Sequence, residues 1–277
     1  DSAVPPEDAS MQFGDSVAPA RMRLTWEHPR RGRVLNHLDR EAFGRYARRM
    51  GDALEAALRD RQRGLFCDSW EVETRRLWTR GFERRFLERY GYDIVPMMDS
   101  VYRLGFADVH YDYMALLSDM VLDEFYRPFT AFAHARGART RAQCGGAPVD
   151  LIEAFRAVDI PESEALLFAP ASSRIASSAA TLNGARLVSA ESFTCMYGWK
   201  GWPGPGPMQG RERIEDARLV ADALFAQGVN MLYWHGMPYN PPGRDSMFYA
   251  SVHVSPMSAW APRLAGFNCY IETVQRH

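Results

Sequence analysis

The sequence predicts an α/β fold, a (β/α)8 TIM-type barrel that is incomplete, on three observations. Short, mostly apolar runs alternate with amphipathic helical patterns, as parallel strands covered by helices do. Nearly every run ends at its C-terminal side in a polar or ionisable residue, and barrels of this kind build their active sites at that end. No glycine-rich phosphate loop follows the first run, as one usually does in a doubly wound nucleotide-binding sheet. Six strands are readable, and a closed barrel needs about eight.

Residues 1–33 show little periodicity and read as an irregular segment leading into the barrel, which occupies 34–277. Val34-Leu35 is a short apolar run ending in Asn36, His37 and Asp39. Asp39 suits the cap of a helix whose apolar positions Phe43, Ala47, Met50, Leu54 and Leu58 recur at spacings of three and four. Gly64–Cys67 reads as a strand running into Asp68-Ser69-Trp70-Glu71, and a helix from about Thr79 should close at Gly91. The segment from about Ala107 to Arg136 is helical by pattern, and Pro128 should kink or split it. Ala138–Cys144 reads as a strand, and Ala157–Ile160 leads into Pro161-Glu162-Ser163-Glu164. A small-residue helix stops at Asn183-Gly184, after which Arg186–Ala190 runs into Glu191. Beyond a Gly/Pro-rich loop at 201–210, a helix carrying Ile214, Ala217, Ala221 and Leu224 ends at Gly228. Val229–Trp234 is the last strand, and it ends at His235.

Composition removes several function classes. The 277 residues carry 33 basic and 34 acidic side chains, a net charge of −1 that argues against a nucleic-acid partner. No run of about 18 apolar residues occurs, so no membrane span is expected. Lys200 is the only lysine, a chain-wide arginine bias that points to no particular site. The four cysteines at 67, 144, 195 and 269 form no CxxC pair and have no zinc-type spacing. Cys67, Cys144 and Cys195 each end an apolar or strand-like run, where a reduced thiol packs as a small hydrophobe.

The residues left for chemistry are carboxylates and aromatics at strand ends. Asp68-Ser69-Trp70-Glu71 suits sugar chemistry, because an aromatic face stacks on a pyranose and a carboxylic acid beside it has a raised pKa. Its commoner role would be capping the next element and pairing with Arg75 or Arg76. Glu191 ends an apolar run, where a salt-bridged or capping glutamate is the ordinary alternative. Glu162 and Glu164 lie two residues apart, only one of them expected to face a barrel mouth. They read either as an exposed acidic loop or as ligands of a hard cation such as Ca2+. His235 could bond a sugar hydroxyl or act in acid–base chemistry, and Trp199 beside the Gly/Pro loop could be a sugar platform. Each has a structural alternative, as a satisfied histidine and as a buried loop anchor.

Order strengthens these readings. Gly64–Glu71 (GLFCDSWE), Tyr90–Asp93, Asp159–Glu164 (DIPESE), Ser189–Thr194 (SAESFT), Gly228-Val229-Asn230 and His235 follow one another in a series that resembles the α-L-rhamnosidases of glycoside hydrolase family 106. The resemblance spans most of the chain from about residue 34. It implies a (β/α)8 catalytic barrel, inversion at the anomeric carbon and an active-centre calcium ion. Carried onto this sequence, it makes Glu71 the general acid and Glu191 the general base. Asp68, with Glu162 or Glu164, would hold calcium or rhamnose hydroxyls, and Trp70, Trp199, Asn230 and His235 would line the sugar site. The partner is then a rhamnose-containing glycan or glycoside, met outside the cytoplasm. Members are normally far longer, so this chain is expected to be about the third to eighth strands of a barrel whose N- and C-terminal surroundings lie in a larger chain. A non-catalytic carbohydrate-binding protein or inactive fragment, and a barrel glycosidase for another sugar, are the competing readings.

Overall fold

The computed structural model describes residues 34–58, 63–70, 72, 76–166, 170–194, 196, 212–235 and 260–276. Residues 1–33, Cys195 and the Gly/Pro-rich loop lie outside them. The described residues fall into two compact units, one ending at Asp159 and the other starting at Ile160.

In the first unit, α1 (Arg40–Ala53) opens on Asp39, whose Oδ1 accepts from the backbone N–H groups of Glu41 and Ala42 at 2.9 and 3.3 Å. That satisfies two of the four donors a helix start leaves unpaired. Val34-Leu35 forms no strand. The chain turns immediately afterwards, with the Asp39 N–H donating to the Asn36 carbonyl and the Leu38 N–H to Asn36 Oδ1. A short α2 (Glu55–Leu58) precedes β1 (Gly64–Cys67), which pairs in parallel with β2 (Arg139–Gln143). Between them lie α3 (Phe82–Tyr90), α4 (Ala107–Val121) and α5 (Arg127–His134). Gly91 closes α3 at φ 78°, a conformation costly for a residue with a Cβ.

The long helix changes to a π-helical turn just before Pro128 and continues through the proline, so it is not split there as its sequence suggests. A π-helical turn, Leu122–Tyr126, joins α4 to α5, and Pro128 stands in the first turn of α5. A proline ring collides with the carbonyl four residues back, here that of Glu124 within the widened turn. The Glu124 carboxylate is nearly buried and meets Arg40 at 3.2 Å and Arg85 at 3.0 Å, which ties α1 and α3 to the turn. The core of this unit is aromatic. Phe82, Phe86 and Tyr113 are fully buried, Phe82 stands 5.6 Å from Tyr113, and the Tyr113 hydroxyl donates to the Leu77 carbonyl. Each such ring contributes on the order of 2–3 kcal/mol through burial. A further helix, α6 (Leu151–Arg156), completes the unit; its six residues are too few to show a period in sequence.

The second unit holds three parallel strands, β3 (Ile160–Leu166), β4 (Ser189–Thr194) and β5 (Met231–Trp234), paired in that order. Helix α7 (Ser173–Asn183) follows β3, α8 (Ile214–Ala226) precedes β5, and α9 (Ala261–Arg276) comes last. Gly184 and Gly228 close α7 and α8 at φ 66° and 92°. Buried Ala176, Ala179, Ala180, Ala217 and Ala221 let these helices lie close to the small strand residues Ala165 and Ala190. Five strands are therefore described, every observed pairing parallel, and helices alternate with them: an α/β fold.

β3 and β4 begin later than their apolar runs suggest. Ile160 is where the sequence reading ended a strand and where β3 starts, so Glu162 and Glu164 lie within a strand. Glu191 likewise sits inside β4. A strand with carboxylates on one face does not read as apolar.

Candidate active site

The second unit brings its carboxylates together by register. Glu162 stands opposite Ser189, Glu164 opposite Glu191, and Glu191 opposite Tyr233. In-register partners on parallel strands share a face, and so do positions two apart on one strand. Glu162, Glu164 and Glu191 therefore project from a single face of the sheet. This corrects the expectation that only one of Glu162 and Glu164 faces the mouth. The opposite face is turned to the helices. Ser163 Oγ donates to Ser173 Oγ at the start of α7 at 3.0 Å, and Ala190 and Ser192 are fully buried.

Depth along the strands separates the three carboxylates. Glu162, one layer nearer the strand starts, is 1% exposed and accepts a hydrogen bond from Ser189 Oγ at 2.7 Å. Glu191, one layer higher, is only partly buried, and its Oε1 lies 3.6 Å from His235 Nε2. His235 follows β5 directly and extends the ladder, its N–H donating to the Ser192 carbonyl. Above the Glu164–Glu191 pair the register slips between Glu164 and Leu166. There Phe193 takes a left-handed φ of 71°, with its buried ring 4.3 Å from Trp234. Bulges and strained residues of this kind collect beside functional sites, where they re-aim a strand end.

Asn230 was expected at the sugar and stands elsewhere. It precedes β5, and its amide accepts from the Val188 N–H at 2.9 Å and donates to the Arg186 carbonyl at 2.7 Å. This stitches the starts of β4 and β5, the end of the strands remote from His235. A short polar side chain between two strand starts suits a backbone clamp as well as it suits a ligand contact.

In the first unit Asp68 leaves β1 exposed, and its Oδ1 accepts from the Ser69 N–H at 2.9 Å. Trp70 is held by its own backbone N–H, donating to the Gly145 carbonyl at 2.9 Å, and by its indole N–H, donating to the Val72 carbonyl at 3.2 Å. A side chain at Gly146 would meet the Trp70 carbonyl at 2.9 Å, so the turn after β2 and the Trp70 segment pack backbone to backbone. Glu71 and Trp199 lie outside the described residues. Cys67 and Cys144 are free thiols. Burial and the neighbouring Asp68 charge push Cys67 up to about 12, and burial pushes Cys144 up further, so both are inert packing residues.

Sequence reasoning passed over Ser189 and undervalued His37. The first shows no signal beyond standing two residues before Glu191. The second belongs to the polar group Asn36-His37-Asp39, and its ring lies 4.5 Å from that of Trp70. Among the described residues no three His, Cys, Asp or Glu side chains gather in a group that could hold a metal ion, and no helix is long and apolar enough to cross a membrane.

Comparison with known proteins gives this arrangement a context. A curated protein of Formosa agariphila, provisionally named a beta-glucuronidase, is 24% identical over 224 residues, which are 75% of this chain and 18% of that protein. The solved rhamnosidase from Novosphingobium sp. PP1Y matches with a TM-score of 0.64 at 23% identity, over 88% of this chain and 25% of its own, and so shares the fold. This chain thus spans a quarter or less of the length of both relatives. The sequence profile of the α-L-rhamnosidases matches residues 31–275, nearly the whole chain. The chain belongs to the α-L-rhamnosidase family, glycoside hydrolase family 106.

Proposed function

We propose that this chain is the greater part of the catalytic (β/α)8 barrel, about its third to eighth strands, of a glycosidase that removes terminal α-L-rhamnose with inversion. The observation that carries the reading is the placement of Glu191 on the carboxylate-bearing face of β4, with Glu164 beside it in register and His235 at 3.6 Å. Glu191 acts as general base and takes a proton from a water molecule. The water oxygen bonds to the anomeric carbon from the face opposite the leaving group. As the glycosidic C–O bond breaks, Glu71 donates its proton to the departing oxygen, leaving an alcohol and rhamnose of inverted configuration. An inverting pair needs about 6.5–9.5 Å between its carboxyl groups to admit that water. His235 fixes the orientation of the Glu191 carboxylate, and Trp70 and Trp199 offer aromatic faces to the sugar.

Family membership and the fold shared with a rhamnosidase support this substrate; the glucuronidase name of the other relative makes a uronic acid the competing one. A carbohydrate-binding protein without turnover is the competing class. A calcium ion, which the family resemblance implies, would take Asp68, Glu162 and Glu164 as oxygen donors of the hardness it prefers. Export from the cytoplasm is proposed on the family resemblance alone.

The test assays the full-length protein against a panel of nitrophenyl glycosides that includes the α-L-rhamnoside and the β-glucuronide, with and without a chelator. Rhamnoside cleavage is expected; Glu191→Gln should lower kcat on the nitrophenyl substrate by about 100-fold or more, and Glu71→Gln should do so on an alkyl rhamnoside, whose departing oxygen needs the proton. Near-normal turnover in either variant would overturn its role. Glycan binding without hydrolysis would favour the binding protein, and activity and thermal stability both unchanged on chelation would remove calcium.

A further inference from the structure

His37 is the residue that the proposed chemistry leaves unused and the structure treats as special. Its ring fills the space between two aromatic side chains, the Trp70 indole at 4.5 Å and tilted 51°, and the Phe125 ring at 4.6 Å and edge-on at 80°. Phe125 belongs to the π-helical turn, is buried, and is itself braced edge-on by Phe43 at 5.6 Å. The backbone around the histidine is equally fixed. Asn36 is buried, and its amide donates to Thr79 Oγ1 at 3.0 Å. Burial lowers His37 to about 4, so the imidazole is neutral near neutral pH and behaves as an aromatic spacer.

Trp70 links this spacer to the site. Its indole N–H donates to the Val72 carbonyl at 3.2 Å, a bond that brackets position 71 in the chain. The ring's angle is therefore tied to the backbone at Val72. A helical turn widened by one residue is an expensive feature that recurs near functional sites. Phe125 lies in that turn, edge-on to His37.

We propose that His37 is a positioning residue: its imidazole is the wedge between the π-turn Phe125 and Trp70 that fixes the indole and, through the indole's bond to Val72, the backbone next to the proposed general acid. The proposal rests on the reading of Glu71 as general acid, and it is tested so that the two fail separately. Angular error of this kind costs rate at the step where the acid matters, because a displacement of about 1 Å at a reacting group lowers rate by about 100-fold.

The experiment uses the full-length protein and His37→Ala, with His37→Phe as the variant that keeps an aromatic wedge. Two measurements are made on each. The first is the emission of Trp70 alone, taken as the difference between each protein and the same protein carrying Trp70→Phe. In His37→Ala that emission should shift to longer wavelength and become quenchable by acrylamide, and His37→Phe should restore it; an unchanged difference spectrum overturns the wedge. The second is kcat/KM on two rhamnosides, one with a dinitrophenyl leaving group that needs no protonation and one with an alkyl leaving group that does. His37→Ala should lose about tenfold more on the alkyl than on the dinitrophenyl substrate, and His37→Phe should recover most of that ratio. Equal losses on both substrates would show a merely structural role and overturn the link to Glu71. Should the protein cleave the glucuronide instead, the same leaving-group pair is made on that sugar. Should it cleave neither, the function proposed above fails and the emission measurement alone decides the wedge.

Discussion

At the residue scale, the histidines illustrate how environment divides one side chain into two roles. His235 lies beside a carboxylate at a strand end, whereas His37 sits among rings with its charge suppressed. For His37 the consequence for stability has a definite sign. Its folded-state value is lowered to about 4 from an ordinary 6.5, so between those values the unfolded chain binds a proton that the native chain refuses. Stability is full above about pH 6.5 and falls progressively toward pH 4, by up to roughly 3 kcal/mol from this group. Denaturant midpoints measured at pH 7, 5.5 and 4 should fall accordingly, and His37→Phe should flatten that acid limb without abolishing it. An identical pH slope in parent and variant would remove His37 as a source of acid lability. Sequence alone showed the polar group at 36–39 but not the burial. The rings that surround His37 come from positions 70 and 125, far away along the chain.

At the element scale, β3 and β4 show why part of the site was illegible. Helices were read well because their signals are local: the Asp39 cap and the stops at Gly91, Gly184 and Gly228. The strands were read from apolar runs, and that criterion fails where one face carries Glu162, Glu164 and Glu191. Both strands were therefore placed too early, and Glu162, read as part of an exposed acidic loop or as a cation ligand, is a buried strand residue that accepts from Ser189. Glu191 was read at the end of its run and lies inside β4, and its partner Glu164 could be found only from register. The end of β4 carries a second consequence. Phe193 holds φ 71° only because its ring is packed against Trp234 and Phe267, at 4.3 and 5.8 Å. Phe193→Ala loses that packing and keeps the backbone strain, at a cost of about 3–5 kcal/mol. Phe193→Gly loses the packing but tolerates the left-handed backbone, so it should be about 1 kcal/mol more stable than the alanine variant. That ordering reverses the usual preference for alanine over glycine, and thermal unfolding of the two variants decides it. Alanine as the more stable of the pair would show that the strand end relaxes out of the left-handed region.

At the scale of the whole molecule, length and strand edges bear on the same question. The chain spans 18% of one relative and 25% of another, and among the described residues β1 pairs only with β2 and β5 only with β4. A parallel strand with one unpaired side presents a row of backbone donors and acceptors, which proteins ordinarily cover because it templates association. In a closed (β/α)8 barrel no such edge exists. If the incomplete-barrel reading holds, residues 1–277 produced alone expose edges that the full-length protein closes with its remaining strands. The isolated chain should then form concentration-dependent oligomers in light scattering and melt less cooperatively than the same residues within the whole protein. The two outcomes separate cleanly, since association through strand edges disappears once the missing strands are supplied on the same polypeptide. A monomer that unfolds in one sharp transition would instead mean that these residues close their own edges, and the barrel reading would have to give way to a self-sufficient α/β domain.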